Sequence, residues 1–303
     1  MPINSLEFKT RATEELDKAL VQRSVTGMFA DNNLREKFVG AKTVLIPEVD
    51  MQALGDYDRD EGFVGGAVTV TNQPYTLSMD RGRYFQIDKE DADETGIPSL
   101  LGKISGEFVR TKVIPEMDAY VMSKLAGVAN TANKTVSGAP ATEALKMLKN
   151  AIFAVQDEVG YDEELVAFVD GAFWAALQST TDITRYLSVG DFKRGEINTK
   201  VTKLDGVSII PVASGRMKTG YVFNDGVTDG QKEGGFVPAE GAKSIGLLVL
   251  PKKAAHLIKK TEEVRTFDPN TNQKATAWKM DYRVYYDVFV KKSYSKSICG
   301  YFY

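Results

Sequence analysis

Trp278-Lys279-Met280-Asp281-Tyr282-Arg283-Val284-Tyr285-Tyr286-Asp287-Val288-Phe289-Val290 is the stretch whose reading decides the fold. Trp278, Met280, Tyr282, Val284, Tyr286, Val288 and Val290 occupy every second position; Lys279, Asp281, Arg283, Asp287 and Lys291 fall on the opposite face. Side chains alternate across a strand, so the pattern predicts one long β-strand with an apolar and a charged face. At about 3.3 Å per residue such a strand exceeds ~40 Å. Asp268-Pro269-Asn270-Thr271-Asn272 supplies the turn before it.

A helix of matching length lies earlier in the chain. Between Ser99 and Asn130, Leu101, Ile104 and Phe108 begin an apolar stripe that Ile114, Met117, Val121, Leu125 and Val128 continue at three- and four-residue steps. Roughly 30 residues at 1.5 Å rise span ~45 Å, long for a compact domain, so helix and strand are expected side by side. Pro115 removes a backbone donor and is expected to kink the helix.

The rest of the chain divides around these two elements. Residues 1–40 are polar and charged, with Leu16 and Leu20 on one face of a short helical stretch too narrow to hold itself in place. They form an arm in need of a partner surface. Thr43–Val49 reads as a strand, followed by a Gly-rich acidic stretch from Gly55 to Gly66. Val68 and Val70, then Tyr75, Leu77 and Met79, alternate on either side of Asn72-Gln73-Pro74, which predicts a β-hairpin with its turn at those three residues. Residues 50–82 are therefore expected to project as a β excursion. Thr131–Ala141 is a small-residue linker. Thr142 is expected to cap a helix carrying Leu145, Leu148, Ile152, Val155 and Val159, which Gly160 ends. Strands at Leu165–Val169, Val207–Val212, Gly220–Phe223 and Ile245–Leu250, with a short helix at Ala172–Gln178, make the middle third a mixed lobe. The fold class is α+β.

Composition narrows the function. The chain has 303 residues, 43% hydrophobic, with a formal net charge of −3. A core can be buried, but tight non-specific nucleic-acid binding, which rests on many Lys/Arg–phosphate contacts, is not expected. One cysteine, Cys299, permits no internal disulfide and suits a reducing compartment. The lone histidine, His256, sits in an apolar strand and excludes multi-histidine metal sites. No apolar leader follows Met1 and no run approaches the ~20 residues that span a bilayer, so a soluble chain made in the cytoplasm is expected.

No candidate chemistry is complete. Asp56-Tyr57-Asp58-Arg59-Asp60-Glu61-Gly62 opens like a calcium loop, but Glu61 stands where glycine is needed and Ala67 where a closing glutamate belongs. Asp88, Glu90, Asp91, Asp93 and Glu94 offer paired carboxylates, the basis of an alternative reading as a carboxylate-dependent hydrolase; an exposed acidic turn ahead of a helix, or half of an inter-subunit ion-pair set, explains them better. Gly62, Gly65 and Gly66 match no phosphate-loop pattern. Lys252-Lys253 and Lys259-Lys260 read as solvated faces able at most to touch DNA weakly. No catalytic residue, cofactor or metal is expected. A charged arm, a projecting hairpin and an over-long helix look shaped for contacts with copies of the same chain.

The order of these elements resembles the major capsid proteins of tailed phages, the fold named after phage Hong Kong 97. Arg83-Tyr84-Phe85-Gln86-Ile87-Asp88-Lys89-Glu90-Asp91 resembles the strand-to-acidic-turn passage before that family's spine helix. Met117-Asp118-Ala119-Tyr120-Val121 resembles the end of the helix, and Tyr285-Tyr286-Asp287-Val288-Phe289-Val290 the C-terminal strand. The resemblance implies an N-terminal arm (1–40), a peripheral domain with a spine helix (41–49 and 83–130), an extended loop (50–82), an axial α/β domain (131–255) and a return to the peripheral domain (256–303). It implies a structural, non-enzymatic protein that self-assembles as pentamers and hexamers into an icosahedral head shell around DNA. Expected subunit contacts are Leu16, Leu20, Val68, Val70, Tyr75, Leu77, Met79, Asp91 and Glu94, with the apolar loop residues buried only on assembly. A separate scaffolding protein, a portal protein and weakly held double-stranded DNA are the implied partners, the virion and the host cytoplasm the implied locations, and no membrane is involved. Some family members cross-link covalently through a loop lysine. None lies between Lys42 and Lys89, so separable subunits are expected. An encapsulin-type compartment shares the fold and is the alternative.

Overall fold

A computed structural model describes residues 24–30, 38–39, 42–60, 62–90, 105–179, 187–194, 197–272 and 274–303. The strands are β1 (Phe38–Val39), β2 (Thr43–Met51), β3 (Val68–Thr76), β4 (Met79–Asp88), β5 (Leu165–Val169), β6 (Leu187–Arg194), β7 (Ile197–Leu204), β8 (Val207–Pro211), β9 (Tyr221–Phe223), β10 (Phe236–Pro238), β11 (Ile245–Pro251), β12 (Ala255–Phe267), β13 (Ala277–Val290) and β14 (Cys299–Phe302). The helices are α1 (Ile114–Thr131), α2 (Pro140–Val159) and α3 (Gly171–Ser179).

The deciding stretch forms β13, the middle strand of a β12-β13-β4 sheet, paired along nearly its whole length with both neighbours. Its even positions Met280, Tyr282, Val284, Tyr286 and Val288 enter the largest core cluster. On the opposite face Lys279, Asp281 and Arg283 stay at least partly exposed, while Asp287 farther along is buried. Tyr285 and Phe289 are buried with Val44, Ile46, Leu77 and Ile258 in a small separate core where the β2–β3 hairpin leaves the sheet.

α1 and the helical residues 105–113 that lead into it lie against the even face of β13: Phe108 meets Tyr282 edge-on at 5.6 Å and Phe85 of β4 at 4.9 Å, and Tyr120 meets Tyr286 at 5.7 Å. Leu101 and Ile104, the expected start of the stripe, lie outside the described residues. Near Pro115 the helix changes its hydrogen bonding, with a π turn over Val109–Val113 running directly into α1. A π register lets the chain pass a residue that has no N–H to give.

The second sheet, in order β14-β11-β5-β8-β7-β6, is mixed, with only β5 and β8 parallel. β5 and β11 are buried on both faces, which is why they read as continuous apolar runs. Val166, Phe168, Ile210, Leu248 and Leu250 face the α1 core, while Leu165, Ala167, Val169, Ile209, Leu247 and Val249 face α2 and α3. α1 is thus packed between two sheets, and Met117, Val121, Met122, Leu125 and Ala129 are buried around most of its circumference.

Three expectations need correction. α2 begins at Pro140, not after a Thr142 cap; proline's fixed φ and absent N–H suit the first helical position. Residues 256–303 do not stay with the β12–β13 sheet, because β14 returns to pair with β11 and places Cys299 in the α2 core. The third concerns the hairpin. Asn72-Gln73-Pro74 is no turn: β3 runs straight through it and pairs residue for residue with β2, from Thr43–Thr76 to Met51–Val68. The bonds Gln52 N–H to Ala67 O and Leu77 N–H to Lys42 O fix the phase of the ladder. Even-numbered β2 residues then form the hydrogen-bonded pairs, and Pro47–Asn72 and Leu45–Pro74 fall on non-bonded positions. Both proline nitrogens point to open edges, where no donor is needed.

Candidate assembly surfaces

Beyond Leu45 the β2–β3 ribbon has no third strand among the described residues, because β1 pairs only with Thr43 and Val44. Its nine paired positions extend ~30 Å at about 3.3 Å per residue, and residues 52–67 continue past its end. An isolated two-stranded ribbon is marginal in water without a surface to lie on. Eight large hydrophobic residues nevertheless stand exposed on it: Val49, Met51, Leu54, Tyr57, Phe63, Val64, Val68 and Val70. Leu54 is fully exposed and Phe63 is 91% exposed, so nothing among the described residues covers the tip. Burial of such side chains is worth roughly 1.5–3 kcal/mol each, and here it is unrealised.

The expected contact residues separate into three groups. Val68 and Val70 are exposed at 64% and 62% and remain available to a neighbour. Leu77 is buried at 3%, Tyr75 is half-buried with its ring 4.9 Å from that of Phe289, and Met79 packs partly on the main core. Leu77 is corrected accordingly: it is buried in the single chain, because the turn from β3 into β4 presses it against Tyr285, whose hydroxyl donates to Leu77 O at 3.1 Å. Leu16, Leu20, Asp91 and Glu94 lie outside the described residues. The six apolar residues of 49–64 were missed by sequence reasoning. Their signal was Tyr57 and Phe63 inside a Gly- and Asp-rich stretch that composition alone marks as solvated.

Buried carboxylates anchor the base of the ribbon. Asp287 accepts from Ser78 N–H (2.9 Å), Ser78 Oγ (2.7 Å) and Tyr120 Oη (2.8 Å), tying the β3–β4 junction, α1 and β13 together. Burial raises the Tyr120 phenol well above its ordinary range, which keeps it a donor. Asp118, fully buried, accepts from Ser24 Oγ, Val25 N–H, Thr26 N–H and Oγ1, and Arg216 Nη1, pinning residues 24–30 to α1. On β4, Arg81 pairs with Glu116 of α1 at 2.6 Å and donates to Asn224 O, while Arg83 donates to Glu233 O and Lys232 O. The loop between β9 and β10 is thereby strapped to the strand that carries the ribbon. Asp225 shapes it, accepting from the Thr228 hydroxyl and the Val227 and Thr228 amides; these bonds lower its carboxyl to about 2.

A groove opens on the other side of α1. Tyr120, Lys124, Tyr221, Phe223, Thr131 and Lys296 are among the residues that line it, in a volume of about 830 Å³. Among the described residues no group of acidic, histidine or cysteine side chains is arranged to hold a metal ion. No helix among them is long and apolar enough to cross a membrane.

No family model matches the sequence, and no curated protein does. Solved structures do. The mature capsid of bacteriophage PhiM1 superposes with a TM-score of 0.56 at 11% identity, over 86% of this chain and 82% of its own. The capsid of the cyanophage P-SCSP1u gives 0.56 at 13% identity, over 88% and 84%. A virus-like particle from Pyrococcus furiosus gives 0.54 at 8% identity, over 97% and 99%. The fold of this chain is the one found in tailed-phage major capsid proteins.

Proposed function

We propose that this chain is the subunit of an icosahedral head shell, assembling with copies of itself as pentamers and hexamers around phage DNA, and that it catalyses no reaction. α1 serves as the spine helix, the β14-to-β6 sheet with α2 and α3 as the axial domain, and residues 46–76 as the extended loop. The observation that carries the reading is the ribbon: a projecting two-stranded element whose apolar tip is uncovered, on a fold otherwise found in capsids. A monomer rarely exposes such a patch without a partner for it. Assembly in the host cytoplasm with separate scaffolding and portal proteins belongs to the same reading.

Replacing residues 54–66 by a two-residue Asn-Gly turn leaves β2, β3 and Leu77 intact. Deleting 56–79 instead would remove β3 and part of the core. The shortened chain should melt as the parent does and fail to form particles in a sedimentation run; particles of normal size would remove the ribbon from the account. The likeness to the Pyrococcus furiosus particle, end to end in both chains, favours a second reading as an encapsulin-type compartment. A single protein co-purifying inside the particles would select it, and nuclease-protected DNA in particles from an infected host would select the head shell.

A further inference from the structure

The groove beside α1 has aromatic walls, Tyr120, Tyr221 and Phe223, and its only charged lining residues are Lys124 and Lys296. Lys124 lies over the Tyr120 ring at 5.5 Å, and neither lysine has a carboxylate within ion-pair distance among the described residues. Burial pushes the Tyr221 phenol up to about 12, with its hydroxyl held by Gly215 O, so this wall is neutral and fixed. The groove therefore asks for an apolar or aromatic group accompanied by negative charge.

The ribbon tip carries that combination. Asp56, Asp58 and Asp60 stand against the single Arg59, beside exposed Leu54, Tyr57, Phe63 and Val64. Tyr57 and Phe63 meet edge-on at 5.0 Å across the tip and present one aromatic knob, braced by the reciprocal backbone bonds of Asp58 and Gly62. The groove's volume lies inside the roughly 300–1,000 Å³ range of sites that enclose compact apolar groups.

Resting on the shell reading, we infer that the groove between α1 and β9 is the receptor for the ribbon tip of a second copy of this chain. Tyr57 and Phe63 enter the apolar floor, and the tip carboxylates meet Lys124 and Lys296. Among the described residues nothing fills the groove or covers the tip, so the contact inferred to close them joins two chains. It joins unlike surfaces, head to tail, and each subunit is at once donor and receiver. Such a contact propagates around a ring or through a lattice, whereas a like-to-like contact would stop at a dimer.

The test mixes two full-length variants, Phe63→Cys and Thr131→Cys, under assembly conditions and mild oxidation; Cys299 is buried and stays out of the reaction. A disulfide-linked dimer should form in the mixture and in neither variant alone. In parallel, Lys124→Glu/Lys296→Glu should abolish particles while the monomer melts normally, and adding Asp56→Lys/Asp58→Lys to the same chain, which matches every contact in a ring of any number, should restore them. Particles that form without the mixed disulfide, or with the lysines alone reversed, overturn the groove as receptor and leave the shell reading standing. An unaltered chain that never assembles overturns both.

Discussion

The central sheet and the β2–β3 ribbon are built from similar residues and put them to opposite use. β5 and β11 are valine- and leucine-rich strands with every residue buried; β2 and β3 carry Val49, Val68 and Val70 into solvent. Layering makes the difference. The sheet has α1 on one face and α2 and α3 on the other, whereas among the described residues no layer covers either face of the ribbon beyond Ile46. One region holds its stability within the chain, and the other exposes apolar surface that the proposed assembly would bury.

The largest break in this contrast should come from Phe168→Ala, since Phe168 is fully buried and packs edge-on against Phe29 at 5.9 Å. A loss of about 3–5 kcal/mol in chemical denaturation is expected. Next is Asp287→Ala, which strands the Ser78 amide and the Ser78 and Tyr120 hydroxyls at the ribbon's base. It should cost about 2–4 kcal/mol; a cost near zero would mean the junction is not held there. Val70→Ser should change monomer stability by no more than about 0.5 kcal/mol, as an exposed position does, yet reduce the yield of particles. The smallest effect concerns Asp225. Its carboxyl is depressed, so its turn is stabilised above the ordinary value of 3.8 and released as the pH falls toward about 2. A midpoint near 2 in an NMR titration is expected, and one near 3.8 would dissolve the turn.

Legibility followed the same division. The period-two run of β13, the continuous runs of β5 and β11 and the stripe of α1 are visible because burial dictates residue type at a fixed spacing. The ribbon was located but its turn was misplaced. Pro74 looks like punctuation, and only the pairing phase shows that its nitrogen faces an open edge. Leu77 could not be separated from Val68 and Val70 by alternation, since its burial depends on Tyr285, more than two hundred positions away. The missed tip residues obey the converse: they are apolar and exposed, and no intrachain spacing marks a side chain that the chain itself does not bury. The return of β14 to the central sheet is equally nonlocal.

The central claim, that the chain is a shell subunit, is tested most directly by negative-stain electron microscopy of the purified full-length protein, with analytical sedimentation on the same sample. Closed shells of uniform diameter, or sheets and spirals with pentameric and hexameric units, are the predicted result. A monomer that stays unassembled at high concentration, and after a scaffolding protein is supplied, would contradict it.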